Sequence, residues 1–225
     1  MRAHYTAGVL WAGVGALLFA AGAAHAAETR VFVVYVDRKA AGQFRLTYQA
    51  GADGTVHHSG TASVAVRHLL GTYRYSFDGK EVWKGGRLLR LDSTSNEDGK
   101  HCALHAEAAG DVLRVEVNGQ PRQVRADAWP TTFWRLPSAE QRQQPLHLLD
   151  VDTGGSLGGR LAEVGPARVT VAGQPVECKH YRLTGQTQAD LWYDAQGRLV
   201  HQVTIEDGHR TVLQLKEIHR TPAQH

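Results

Sequence analysis

The sequence is poor in helix signals, in cysteine and in long apolar runs, and each shortage removes a class of protein. After residue 26 no segment approaches the ~20 consecutive apolar residues that a spanning helix needs, so no transmembrane segment is expected in the mature chain. No basic cluster with interleaved aromatics occurs. The 25 Lys and Arg stand against 22 Asp and Glu, for a net charge of +3, and alternate with them in stretches such as "RLAEVGPAR" and "KEIHR". That is a mixed, solvated surface, and no nucleic-acid partner is expected. Internal repeats and linkers are also missing, which leaves one domain over residues 27–225.

What is present begins with "MRAHYTAGVLWAGVGALLFAAGAAHA": an early Arg2, an apolar run from Val9 to about Ala24, and the small-x-small triplet Ala24-His25-Ala26. This pattern predicts a signal peptide over residues 1–26 and a mature chain that is periplasmic or secreted. Only two cysteines follow, Cys102 and Cys178. Export favours their pairing, and a disulfide closing so long a loop adds about 4 kcal/mol in the chain-entropy model. Two separate buried thiols are the alternative.

A period of two dominates the mature chain. Phe44, Leu46 and Tyr48 alternate with polar neighbours, as do Tyr73, Tyr75 and Phe77, and then Leu113, Val115 and Val117. The run "VFVVYVD" is apolar on both faces and is expected to be covered on both. Asp53-Gly54, Asp78-Gly79, Asp98-Gly99, Asn118-Gly119 and Asp207-Gly208 are tight-turn dipeptides. Asp194-Ala195-Gln196-Gly197 reads as a type I turn between "DLWYD" and "RLVHQV", with Leu199, His201 and Val203 on one face. Helix is predicted only at "SAEQRQQ", where Ser138 and Gln141 make a capping box that Pro145 closes. The fold class is therefore all-β: an antiparallel curved sheet, a half-barrel or barrel, with at most one or two short helices.

Chemistry is thin. "GGSLG", Gly154 to Gly158, matches the G-x-S-x-G nucleophile elbow with Ser156, but the following "GRLAEVGPARVTV" carries Gly165-Pro166 where the elbow needs a helix. His101 and His105 share a strand face roughly 13 Å apart, too far to hold one ion together. Cys178 and His180 are closer, yet no second pair joins them, and no metal or cofactor is expected. His57-His58 is expected to be exposed. "DAWPTTFWRLP" places Trp129, Phe133 and Trp134 in a connection, which makes it either a lid packed on the core or a ligand entrance.

Set side by side, "YRYSFDGKEVWKGGRLLRLDSTSNEDGK", "WPTTFWR", "LDVDTG" and "CKHYRLTGQTQADLWYDAQGRLV" resemble a family of exported bacterial proteins known only as a domain of unknown function. The matching positions are Trp83, Gly86, Leu91, Ser93, Asn96, Gly99, Pro130, Trp134, Asp152, Gly154, Tyr181, Gly185, Trp192, Tyr193, Asp194 and Gly197. That family is similar in turn to periplasmic half-barrels that carry lipids and lipoproteins. The resemblance implies no catalytic residue. It implies a lipid or other apolar ligand in the concave face; the candidate lining, read from the aromatic residues of the strands and of the connecting loop, is Phe44, Tyr48, Tyr73, Tyr75, Phe77, Trp129, Trp134 and Trp192. An envelope scaffold that binds a protein partner through a sheet edge or aromatic patch is the second expectation. A filled interior counts against the first, and an enclosed apolar cavity counts against the second.

Overall fold

The computed structural model describes residues 27–68, 71–206 and 208–221. The expected signal peptide and Asp207 lie outside the described residues.

Fifteen strands form one sheet. They are β1 (Ala27–Val36), β2 (Lys39–Ala50), β3 (Thr55–His68), β4 (Gly71–Lys84), β5 (Arg87–Glu97), β6 (Lys100–Ala109), β7 (Val112–Val117), β8 (Gln120–Arg125), β9 (Trp129–Pro130), β10 (Leu146–Leu149), β11 (Ser156–Val171), β12 (Gln174–Gly185), β13 (Ala189–Tyr193), β14 (Leu199–Glu206) and β15 (His209–Thr221). Their order is 8-7-6-5-4-3-2-1-15-14-13-12-11-10-9, and every pairing is antiparallel except β9 with β10. The chain is thus two hairpin meanders joined where β1 pairs with β15. The sheet curves without closing, an all-β half-barrel as expected, and the helical content among the described residues is the single 3₁₀ turn Gln141–Gln143. The capping box forms there: the Gln141 N–H donates to Ser138 Oγ, and the Ser138 N–H donates to Gln141 Oε1.

The tight turns follow from residues that accept positive φ. Asp98 and Gly99 have φ of 47° and 88°, and Asn118 and Gly119 have 50° and 79°, the values that a two-residue hairpin requires. Asp78-Gly79 departs from expectation, because it lies inside β4 and pairs with Thr61 and Gly60 of β3. A dipeptide competent to turn is overridden when both flanks pair in register. Gly79 serves packing instead: a Cβ there would lie 2.6 Å from Phe77 and 3.2 Å from Trp134.

One face of the sheet carries the core. Phe32, Leu46, Leu91, Leu113, Leu161, Leu183 and Leu191 are all within 1% of complete burial, drawn from seven strands around the curve. "VFVVYVD" is covered unequally: Phe32 and Val34 point into the core and Val31 is buried on the outer face, while Val33 and Tyr35 are half-buried. A bulge between Trp192 and Tyr193 sets Tyr193 opposite Leu199 and Trp192 opposite His201. The extra residue Val200 breaks the expected alignment of Leu199 with His201.

The two cysteines are free thiols. Cys102 shares the inner face of β6 with Leu104, whereas Cys178 lies on the outer face of β12 with His180. On opposite faces of strands this far apart in the sheet they are two separate buried thiols, the second of the two possibilities.

Candidate functional site

The hollow of the sheet is occupied by the chain itself. From Ala126 to Gln144 the backbone leaves the sheet and crosses the concave face as a strap, paired only through β9 and one bridge, Arg135 with Arg198. Trp129, Phe133 and Trp134 point from the strap into the hollow, each at most 3% exposed. Of the two possibilities raised for this segment, the structure holds the packed lid.

Trp134 stands on a floor made by two glycines. A Cβ on Gly60 would lie 2.4 Å from its indole, so only a residue without a side chain lets the ring reach the sheet. Phe44 stacks on Trp134 at 6.3 Å and Phe77 meets it edge-on at 6.1 Å. Trp129 lies 4.5 Å from Trp83, and the Arg135 guanidinium covers both rings.

Tyr48, Tyr193 and Glu81 hold the strap from beneath. The Tyr48 hydroxyl donates to the Trp134 carbonyl at 2.8 Å and accepts the Leu199 N–H, and the Tyr193 hydroxyl donates to the Phe133 carbonyl at 2.8 Å. Burial pushes both phenols above their ordinary range, so both stay protonated donors. The Glu81 carboxylate, 1% exposed, accepts from Trp83 Nε1 at 2.7 Å, from Thr132 Oγ1 and from His58 at 3.4 Å. His58 is 4% exposed against the expectation of a surface histidine, because β3 turns it inward between Tyr48 and Glu81. Phe133 takes φ of 49°, a left-handed conformation that costs a bulky residue about 1–3 kcal/mol. The Tyr193 hydrogen bond and burial of the ring maintain it.

The expected lining residues therefore divide. Phe44, Tyr48, Phe77, Trp129 and Trp134 meet in the hollow, where they pack against one another and are each at most 7% exposed. Tyr73 and Tyr75 stand at its rim, donating to Glu97 and Asp152. Trp192 lies on the opposite face. Leu191 and Tyr193 take the inward positions of β13, so Trp192 points out between His180, stacked at 4.2 Å, and His201 at 4.7 Å. Burial and the nearby Arg210 charge push His201 down to about 4 and keep it neutral.

Open space lies where the sheet fails to close. β8 and β10 approach without pairing, and between them is a cleft of about 420 Å³ lined by Val112, Val124, Ala128, Leu148 and Leu157, with Asp111, Arg125, His147 and Ser156 among its polar residues. Sequence reasoning missed this seam. Its apolar residues come from both ends of the sheet order, and only the curl brings them together. Two other depressions, of about 280 and 460 Å³, are lined mainly by charged and polar groups such as Asp78, Lys80, Glu107 and Arg114. Ser156 and His147 share the seam but make no hydrogen bond to each other, and strand β11 rather than a helix follows Ser156. The nucleophile elbow is not built. Among the described residues no three His, Cys, Asp or Glu side chains gather to hold a metal, and no helix is long and apolar enough to cross a membrane.

The strap is tied at Thr131 to the turn that follows β10. The Val151 N–H donates to Thr131 Oγ1, Arg122 donates to the Thr153 carbonyl, and Asp152 accepts the Tyr75 hydroxyl at 2.9 Å. Burial raises the Asp152 carboxyl above the usual carboxylate range, and the hydrogen bonds from Tyr75 and Ser95 only partly offset it. A raised folded-state value means that the stabilising contribution is full below the unfolded value of 3.8 and is lost as pH rises through the folded value. Asp152→Asn, which stays neutral and keeps an acceptor for Tyr75, is expected to raise the thermal midpoint by a few degrees at pH 7 and by almost nothing at pH 3. Calorimetry at both values checks this, and an equal shift at both would disprove the ionic origin.

These features define an unclosed β half-barrel whose interior is filled by its own aromatic strap. The chain belongs to the family described as domain of unknown function DUF6134, whose model matches residues 32–216. None of the curated proteins matches it in sequence. Among solved structures it is similar to a beta-barrel-like protein of the domain of unknown function DUF1849 from Brucella abortus, at 8% identity, covering 88% of this chain and 98% of that one, with a TM-score of 0.61. That likeness is one of fold alone. A putative outer membrane lipoprotein-sorting protein domain from Vibrio parahaemolyticus aligns at 9% identity over 90% of this chain and 87% of that one, with a TM-score of 0.24. The LolA superfamily protein NE2245 from Nitrosomonas europaea aligns at 12% over 88% and 86%, with a TM-score of 0.19. Scores this low carry no argument about fold or function.

Proposed function

We propose that this protein is a non-catalytic carrier of an apolar chain, such as the acyl chain of a lipid, acting in an exported compartment after loss of residues 1–26. The filled interior counts against the concave face as the resting place of a ligand, and the observation that carries the reading is instead the seam. It combines an apolar floor, a charged rim and a volume within the ~300–1,000 Å³ typical of small-molecule sites. An amphiphile fits that arrangement: the chain lies on Val112, Val124, Leu148 and Leu157, and its polar end meets Asp111, Arg125 or His147 at the rim. Affinity would come from burial, at about 25 cal/mol per Å² removed from water.

The scaffold alternative draws less support. The exposed edge strand β8 contains Pro121, and the length of β11 beyond its pairing with β10 contains Pro166 and a bulge between Glu163 and Gly165. Prolines and bulges on edges oppose the addition of another strand.

The mature protein is expected to bind cis-parinaric acid saturably. Val124→Asp and Leu157→Asp should each weaken that binding at least tenfold, with unchanged far-ultraviolet circular dichroism, because a carboxylate on the seam floor loses its water when a chain covers it. Val164→Asp, at a side chain 54% exposed on β11, should bind as the wild type does. Fluorescence titration measures all four. Absence of saturable binding to the wild type, with no lipid recovered by native mass spectrometry, would dispose of the carrier reading.

A further inference from the structure

We infer that the Ala126–Gln144 strap is a gate, which swings off the glycine floor as a unit and lets an apolar chain pass from the seam into the hollow now filled by Trp134. The inference rests on the carrier reading and adds its regulation.

Four observations point the same way. Among the described residues the strap is the one long segment nearly free of the ladder, held by β9 and by the Arg135–Arg198 bridge. No side-chain bond reinforces that bridge, because each guanidinium turns to other partners: Arg135 to Trp83 and Trp129, Arg198 to Glu28 and Tyr48. The backbone at Phe133 is held in a left-handed conformation that release relieves. Beneath Trp134 the sheet presents Gly60 and Gly79, so its departure uncovers a flat slot walled by Phe44 and Phe77. Ala128 and Leu148 line the seam, and Trp129, next to the one and paired with the other, places the start of the strap at the border of the cleft.

The polar contacts are of the kind that a gate needs, few and at defined points. Tyr48 and Tyr193 hold consecutive carbonyls, and Glu81 holds Thr132. The turn after β10 holds Thr131 through its hydroxyl and Leu149 accepts its N–H, while the Leu136 N–H donates to the Gly197 carbonyl.

Two measurements separate the gate from the carrier reading. The first needs no ligand. In native-state hydrogen exchange the Thr131 and Leu136 amides should exchange at least a hundredfold faster than the β1 amides paired with β15, and Tyr193→Phe should speed them about tenfold more while leaving β1 unchanged. Strap and sheet amides that exchange together, only through global unfolding, would overturn the gate. The second is a staple. Arg135→Cys with Arg198→Cys, in a Cys102→Ala, Cys178→Ala background, joins the two bridged positions, whose spacing suits a disulfide. Oxidised protein should take up cis-parinaric acid at least tenfold more slowly than the same protein reduced. Equal uptake would leave the carrier reading standing and remove the gate. Failure of wild type, reduced and oxidised forms alike to bind would remove the carrier reading, and the exchange measurement would still decide the gate.

Discussion

Arg30→Ala is expected to cost about 3–5 kcal/mol, because it strands buried charge at the one joint between the two halves of the sheet. Arg30 lies on β1, 2% exposed, and donates to Glu28 at 2.8 Å, to Asp194 and to the Leu199 carbonyl at 2.9 Å. It therefore binds the first strand to the turn between β13 and β14. Glu28 shows how tightly that network is set. Burial pushes its carboxyl up, but Arg30, Arg220 and Arg198 outweigh burial and hold it below its ordinary value of 4.5. A lowered value means that the stabilising contribution is present above 4.5 and is lost as pH falls through the folded value. The loss from Arg30→Ala should accordingly be largest at neutral pH and shrink in acid. Arg30→Met, which fills the same volume, should lose less than the alanine variant through packing of its chain. Urea titration at pH 7 and pH 3 tests both statements, and a loss under 1 kcal/mol at pH 7 would mean that Glu28 and Asp194 are adequately satisfied by their other partners.

The strands were legible because alternation reports a face and nothing more. Phe44, Leu46 and Tyr48 follow the expected pattern, and so do Leu113 and Val115, since each needs only its neighbours on one strand. Errors arose where a second element decides. Asp78-Gly79 has the chemistry of a turn, but Gly60 and Trp134 require it to be a floor. Trp192 has the chemistry of a lining residue, but Leu191 and Tyr193 take the inward positions of β13, and alternation sends Trp192 outward. His58 looked like half of an exposed pair because the carboxylate that receives it, Glu81, is 23 residues away on another strand. The seam was beyond reach for the same reason: Val124 and Leu157 become neighbours only through the curvature of the whole sheet. The strap is the intermediate case. Its prolines and aromatics marked it as a functional or packed connection, and the choice between the two belonged to tertiary contacts.

Trp134→Ala is the variant in which stability and function separate most sharply. Removing an indole that is 2% exposed should cost about 3–5 kcal/mol. At ~2–4 °C per kcal/mol for a domain of this size, the thermal midpoint should fall roughly 6–20 °C. Collapse cannot recover much of that loss, because the floor is Gly60 and Gly79 and neither carries a side chain to move into the space. Phe44 and Phe77 remain as walls, and the Tyr48 hydroxyl still finds the backbone carbonyl of residue 134. The result is an apolar cavity that stays dry and accepts small apolar guests. Free indole should raise the midpoint of the variant and leave the wild type unmoved, through the mass-action term RT ln(1 + [L]/Kd). A fatty acid discriminates further. If the hollow is a place that a carried chain reaches once the strap has moved, the variant should be stabilised by the acid more than the wild type and should bind cis-parinaric acid faster. If the strap is only structural, indole will rescue and the acid will not. Trp134→Leu, with a smaller loss of volume, keeps the comparison available should the alanine variant prove too unstable to purify.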